Sequence, residues 1–279
     1  MFASPNLWTN DHAPVPVRLH PDSRAEAARR RRLHRDLALA VKRHRFILHY
    51  QARLSLVSGG RTGMEALLRW PHPRRGMVPA ANLIALADET GLVTALGGWV
   101  LLAACREAVR WQEPWVVSVG VSPRQIAEGA LLGQVAAALD VSGLDPERLE
   151  LTLAETTLLD ADVDTLLTLS AIRDLGAGVG LHDFGTHFAG LSMLKRLPLT
   201  IMTIDRSLVR DLPLDLDDAA IVRAVIDTAH VLGLTVVAGG IETEAQRAML
   251  SAYGCDEGQG GLFGQPVPAQ GLRCASPPA

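Results

Sequence analysis

The sequence predicts an α/β protein: a mainly parallel sheet wrapped by helices and closed into a barrel. Three observations lead there. Short apolar strand-like segments alternate with helical ones along most of the chain. About eight strand-like segments fit within roughly 240 residues, the proportions of a (β/α)8 barrel. No GxGxxG or GxxxxGK[ST] loop is present, so the usual signature of an open nucleotide-binding sheet is missing. Periodicity alone does not separate the barrel from a doubly wound open sheet.

The elements follow in order. Residues 1–23 hold Pro5, Pro14, Pro16 and Pro21 without periodicity, as expected of a disordered leader. The folded domain is expected over 24–268. It starts with a leading helix over 24–45, where Leu33, Leu37, Ala40 and Val41 recur at three- and four-residue spacing. The same stretch carries Arg29 to Arg32. Such a run suits a phosphate patch or a solvated helix face, and its shortness and lack of interleaved aromatics favour the latter. Segments 46–54 and 63–70 read as strands, 79–89 and 96–111 as helices, 116–121 as a strand and 131–140 as a helix. Segments 149–154, 163–175 and 178–183 continue the alternation, followed by 191–197, 201–205, 217–232, 235–241 and 244–253. Residues 269–279 read as a loose, Pro-rich tail.

Composition narrows the function classes. A chain of 279 residues, 48% hydrophobic, can bury a full-sized core. With 27 Lys and Arg against 30 Asp and Glu, the net charge of -3 gives no pull towards nucleic acid or an anionic membrane. Aromatics at 4% are too scarce for a single-strand stacking platform. Cys105, Cys255 and Cys274 are far apart and lack metal spacing, which suits a reducing compartment. No apolar run approaches the roughly 18 residues of a membrane span, and the N-terminus lacks a signal-peptide pattern. The expectation is a soluble cytoplasmic protein.

Acidic and polar residues gather where the strands end: Glu65 and Arg69, then Glu155, Asp183, Asp205 and Glu242. In a β/α barrel these ends share one face and build the active site. Converging carboxylates there suit a divalent metal or general acid-base work. Each alone could equally cap the helix that follows. Taken together they favour a site.

Those residues sit in recognisable motifs. Met64 to Trp70 reads Met-Glu-Ala-Leu-Leu-Arg-Trp. In order come Tyr50-Gln51, His72-Pro73, Glu89-Thr90-Gly91-Leu92, Ser122-Pro123-Arg124-Gln125, Asp183-Phe184-Gly185-Thr186, Ile204-Asp205-Arg206-Ser207, Glu242-Thr243-Glu244 and Gln259-Gly260. From about Ala25 to Pro268 the chain resembles the EAL domain family of bacterial cyclic di-GMP phosphodiesterases. The resemblance implies a modified (β/α)8 TIM-like barrel with an antiparallel first strand, and cyclic di-GMP as ligand. It also implies metal-assisted phosphodiester hydrolysis by two Mg²⁺ or Mn²⁺ ions, which need hard oxygen ligands.

Carried over motif by motif, the resemblance retains Glu65 as the first metal carboxylate and Glu155 as the residue that steadies the loop after the fifth strand. Six other positions depart. Gly120 replaces an Asn, Thr152 a Glu, His182 the first of two paired Asp, Thr203 a Lys, and Gly239 the Glu beside the nucleophilic water. His187 replaces a loop Gly. Glu65, Asp183 and Glu242 remain as residual metal candidates, too few for a two-ion clamp. A softer Zn²⁺ set of His182, His187, Asp183 and Glu65 is the alternative. For ligand contacts the resemblance leaves Gln51, Leu67, Arg69, Asp183, Glu242 and Gln259, with Arg69 as the phosphate fork.

The expectation is therefore a degenerate, non-catalytic regulatory module that binds cyclic di-GMP or a protein partner and requires no metal. The alternative is residual Mg²⁺- or Mn²⁺-dependent hydrolysis to linear pGpG. Family members often pair through helices near the fifth and sixth strands, which leaves a homodimer open.

Overall fold

The computed structural model describes residues 24–78, 80–159, 161–185 and 194–272. Among the described residues ten strands form one sheet: β1 (Ile47–Ser55), β2 (Arg61–His72), β3 (Gly76–Val78), β4 (Val116–Gly120), β5 (Leu149–Ala154), β6 (Gly178–Phe184), β7 (Ile201–Ile204), β8 (Thr235–Ala238), β9 (Glu257–Gly258) and β10 (Val267–Pro268). From β2 through β4, β5, β6, β7 and β8 to β9 every neighbour is parallel. The circle closes through β1, which is antiparallel to both β2 and β9. Eight strands thus make the barrel, with the first reversed. β3 and β10 are short additions on β2 and β1.

A closed sheet wrapped by helices buries both strand faces, so its strands carry few exposed residues. All six residues of β5 are buried. Leu149, Leu151 and Leu153 alternate with Glu150, Thr152 and Ala154, and the second set lines the barrel interior, where Glu150 meets Arg53 of β1. The outer layer packs against helices such as Val93–Ala108, whose Leu96, Val100, Leu101 and Ala104 are fully covered.

The floor of the barrel holds a charge cluster that the motif reading did not anticipate. Arg53 forks onto Glu150, with Nη1 donating at 2.9 Å and Nη2 at 3.1 Å. Its Nε lies 2.6 Å from Glu257 Oε2, outside the angular range of a directed hydrogen bond. Gly63, paired with Arg53, makes room for the guanidinium: a Cβ there would sit 3.1 Å from Nη2.

Several boundaries differ from expectation, each for a local reason. The leading helix spans Arg24–Lys42, shorter at its end than the expected 45, and His44 adopts φ 48° as the chain turns into β1. The helix placed at 96–111 runs over Val93–Ala108, because Gly91 at φ 68° breaks the chain earlier. The strand placed at 235–241 stops at Ala238, before Gly240 at φ 75°. β3, β9, β10 and the short helices Pro123–Ala127, Glu155–Leu159 and Arg206–Val209 are additional to the elements the sequence predicts. Within the expected loose tail, Ala269–Leu272 forms a helical turn with Leu272 buried. The leader at 1–23, the rest of the tail at 273–279, His187 and part of segment 191–197 lie outside the described residues.

Candidate ligand and metal site at the barrel mouth

The site begins with an irregularity in β6. Leu181 pairs with Met202 and Phe184 with Ile204, so three steps on β6 oppose two on β7. The extra residue is a bulge, and Asp183 takes up the turn with φ 58°. A regular strand would send His182 and Asp183 to opposite faces; the bulge brings both side chains to the interior. The His182 Nδ1 to Asp183 Oδ1 distance is 2.8 Å, and His182 Nε2 lies 3.5 Å from Glu65 Oε1. The first contact is close but poorly aligned, so its attraction is mainly Coulombic.

Glu65 stands on β2 opposite Gln51 of β1. Its second oxygen accepts from Gln259 Nε2, which also donates to Gln51 Oε1 at 3.2 Å. Gln51 Nε2 donates in turn to the Gly264 carbonyl at 3.0 Å. One polar chain therefore crosses the mouth from Asp183 through His182, Glu65, Gln259 and Gln51 to Gly264. Burial alone would push the Glu65 carboxyl up, yet His182, Gln259 and Arg53 together hold it below the ordinary carboxylate value. Burial opposes charge on His182, but Asp183 and Glu65 raise the imidazole well above its usual value. Asp183 is raised, by burial first, with His182 offsetting only part of that push.

Around this chain the replaced positions face the same interior. Gly120 pairs with Thr152, Thr152 with Gly180, Ala154 with His182, and Thr203 with Val237. Gly239 follows β8; a Cβ built on it would lie 3.7 Å from Thr203 Cγ2. Leu67 and Arg69 are buried on β2, and Arg69 Nη1 donates to the Leu68 carbonyl at 3.0 Å. Glu155 accepts from the Gly185 backbone at 3.1 Å and so holds the end of β6. Asp205 caps the helix Arg206–Val209 through Ser207 N, the bland alternative for a strand-end acid. Glu242 is exposed in the loop after β8, a loop fixed by Gln246.

A two-ion centre does not fit these residues. Gly120, Thr152, Thr203 and Gly239 offer no carboxylate, and both His182 nitrogens already face protein carboxylates. Among the described residues, no group of three or more His, Cys, Asp or Glu is arranged to hold a metal ion. The same engagement of His182 argues against the Zn²⁺ set. A groove of about 210 Å³ does exist elsewhere, between the leading helix and the β2–β3 hairpin, lined by Asp36, Arg43, Arg45, His72 and Arg74. It contains none of the mouth residues and is a separate feature of the outer wall.

The closed barrel, its reversed first strand and the polar mouth place the chain among β/α-barrel proteins. Within them it belongs to the EAL domain family, which matches residues 34–266. Over 253 residues it is 40% identical to the bifunctional diguanylate cyclase/cyclic di-GMP phosphodiesterase MucR of Pseudomonas aeruginosa, covering 89% of this chain and 37% of that protein. It is 33% identical over 237 residues to the cyclic di-GMP phosphodiesterase PdeR of Escherichia coli, covering 84% and 36%. The chain thus spans little more than a third of these relatives. Among solved structures it is similar to the PaMucR phosphodiesterase in its c-di-GMP complex, with TM-score 0.82, 39% identity and coverage of 86% and 99%. The EAL enzyme Bd1971 with cAMP and cyclic-di-GMP bound gives TM-score 0.84 at 27% identity, covering 90% and 70%. No helix among the described residues is long and apolar enough to cross a membrane.

Proposed function

We propose that this chain is a regulatory EAL domain that captures cyclic di-GMP at the barrel mouth and does not hydrolyse it. The observation that carries the reading is the division of the mouth. The positions where the family holds metal and activates water are Gly120, Thr152, His182, Thr203 and Gly239. The side chains suited to a phosphate and a guanine edge, Arg69, Gln51 and Gln259, persist beside Leu67 on the same scaffold. Capture needs a cleft, a cation for phosphate and polar groups for the base, and no metal. The solved complex of a relative with 39% identity supports the ligand class.

Hydrolysis is the second reading, favoured by the activities named for the relatives. It needs a charge clamp at the phosphate that these residues do not supply, and losing one such stabilising group can cost on the order of a hundredfold in rate. Calorimetric titration with cyclic di-GMP, with Mg²⁺ and with EDTA, run beside a turnover assay, separates the two. Binding unaffected by EDTA, no linear pGpG, and a loss of at least about tenfold in affinity on Arg69→Ala are expected, since charge-assisted bonds are worth roughly 1.5–3 kcal/mol. Turnover by the unmodified chain would overturn the reading. A wild type that does not bind at all would move the function to a protein partner.

A further inference from the structure

We propose that His182 takes the structural place of a metal ion, acting as a built-in strut that joins Glu65 to Asp183 and shuts divalent cations out of the mouth. The geometry is the argument. The β6 bulge aims two consecutive side chains inward, and His182 is the one that reaches across to β2. Its two nitrogens lie 2.8 Å from Asp183 and 3.5 Å from Glu65, and the other Glu65 oxygen is taken by Gln259. A dication bound here would have to displace the imidazole from between the two acids.

The strut also gives these acids a partner within the space they share. Two carboxylates drawn together in a low-dielectric interior repel each other unless a cation or proton lies between them. A metal would serve, and so does an imidazole carrying N–H on both sides. The side chains of His182 and Asp183 are only 14% and 16% exposed, so bulk water cannot do the screening. The aspartate that the family places at position 182 would instead set a third acid between Glu65 and Asp183, where the imidazole now stands.

The inference rests on reading the site as one that works without metal, yet the two can fail separately. Absence of cyclic di-GMP binding would sink the ligand reading and leave the strut standing. Metal binding by the unmodified chain would sink the strut even if ligand binding persisted. The test is thermal unfolding and calorimetry of the whole chain with Mn²⁺ and with EDTA, for wild type, His182→Asp and His182→Ala. Wild type should show the same midpoint in Mn²⁺ and EDTA. Both variants should unfold earlier in EDTA by roughly 3–8 °C. Mn²⁺ should restore much of that loss in His182→Asp, with an affinity at least about tenfold above wild type. If His182→Asp does not fold without metal, His182→Ala still carries the stability half of the test. A wild type stabilised by Mn²⁺ as strongly as His182→Asp would overturn the proposal. So would variants that lose no stability in EDTA.

Discussion

At Arg53 the chain places a full charge in the barrel floor, and removing it would strand two acids. Glu150 and Glu257 both rely on that guanidinium and are themselves buried or nearly so. Breaking a buried ion cluster by deleting one partner costs about 3–5 kcal/mol. Arg53→Met should lose stability on that scale in urea unfolding, and a loss below about 1 kcal/mol would show that water reaches the floor. Glu257 is the surplus acid of the cluster. Burial lifts its carboxyl above the ordinary 4.5, with Arg53 pulling it partly back. The folded state therefore favours the protonated form. Its contribution to stability is fully present below the unfolded value and is lost as pH rises through the raised folded value. Glu257→Gln, which cannot ionise, should gain on wild type as pH increases from about 4.5 towards neutrality. A gap that narrows with rising pH would contradict this account. None of this was legible from motifs, because a charged residue in a strand shows its partners only once the barrel closes.

At the scale of elements, the end of the loop after β8 is tied to its neighbours by the Gln246 side chain. Gln246 Oε1 accepts from Glu242 N at 2.8 Å and Thr243 N at 2.9 Å, while its Nε2 donates to Val209 and Arg210 carbonyls. This couples the capping box of the helix Glu244–Ala252 to the neighbouring Arg206–Val209 turn. Gln246→Ala would leave several buried groups unpaired, at roughly 1–3 kcal/mol each before relaxation. A destabilisation of about 2 kcal/mol and faster amide exchange at Glu242 and Thr243 are expected. Unchanged exchange there would mean the loop is fixed by other contacts. Alternation of apolar segments made most strands and helices readable, since each carries its own periodicity. The strand that closes the barrel was not, because β9 has only Glu257 and Gly258. The bulge at Asp183 also left no sequence signal, as the positive φ there belongs to an Asp rather than a Gly. Of the mouth residues, Glu65, His182, Asp183, Gln51 and Gln259 come together. The link through His182 appears only in three dimensions.

For the whole molecule, closure depends on how tightly the last strand can pass the rest. A Cβ on Gly260 would lie 2.2 Å from the Ile241 carbonyl oxygen, backbone that cannot swing aside. Ile241 and Gln259 are bonded across that approach, and Leu262 N donates back to Ile241. Gly260→Ala should therefore act on the entire barrel, costing about 3 kcal/mol or roughly 6–12 °C in Tm. A variant that melts with wild type would place the closure elsewhere. The reversed β1 has a different consequence. Its first residue, Ile47, pairs with Arg69, so β1 starts at the rim where the parallel strands finish. The leading helix, tied to the wall by Asp36 near His72 and Arg30 on Glu89, delivers the chain to that rim. In an all-parallel barrel the same helix would enter at the opposite end. Here a pull or twist applied upstream arrives one strand pair away from the guanidinium proposed to grip phosphate. The entry of the chain and the residues of the mouth therefore share one doorway, and the direction of a single strand decides it.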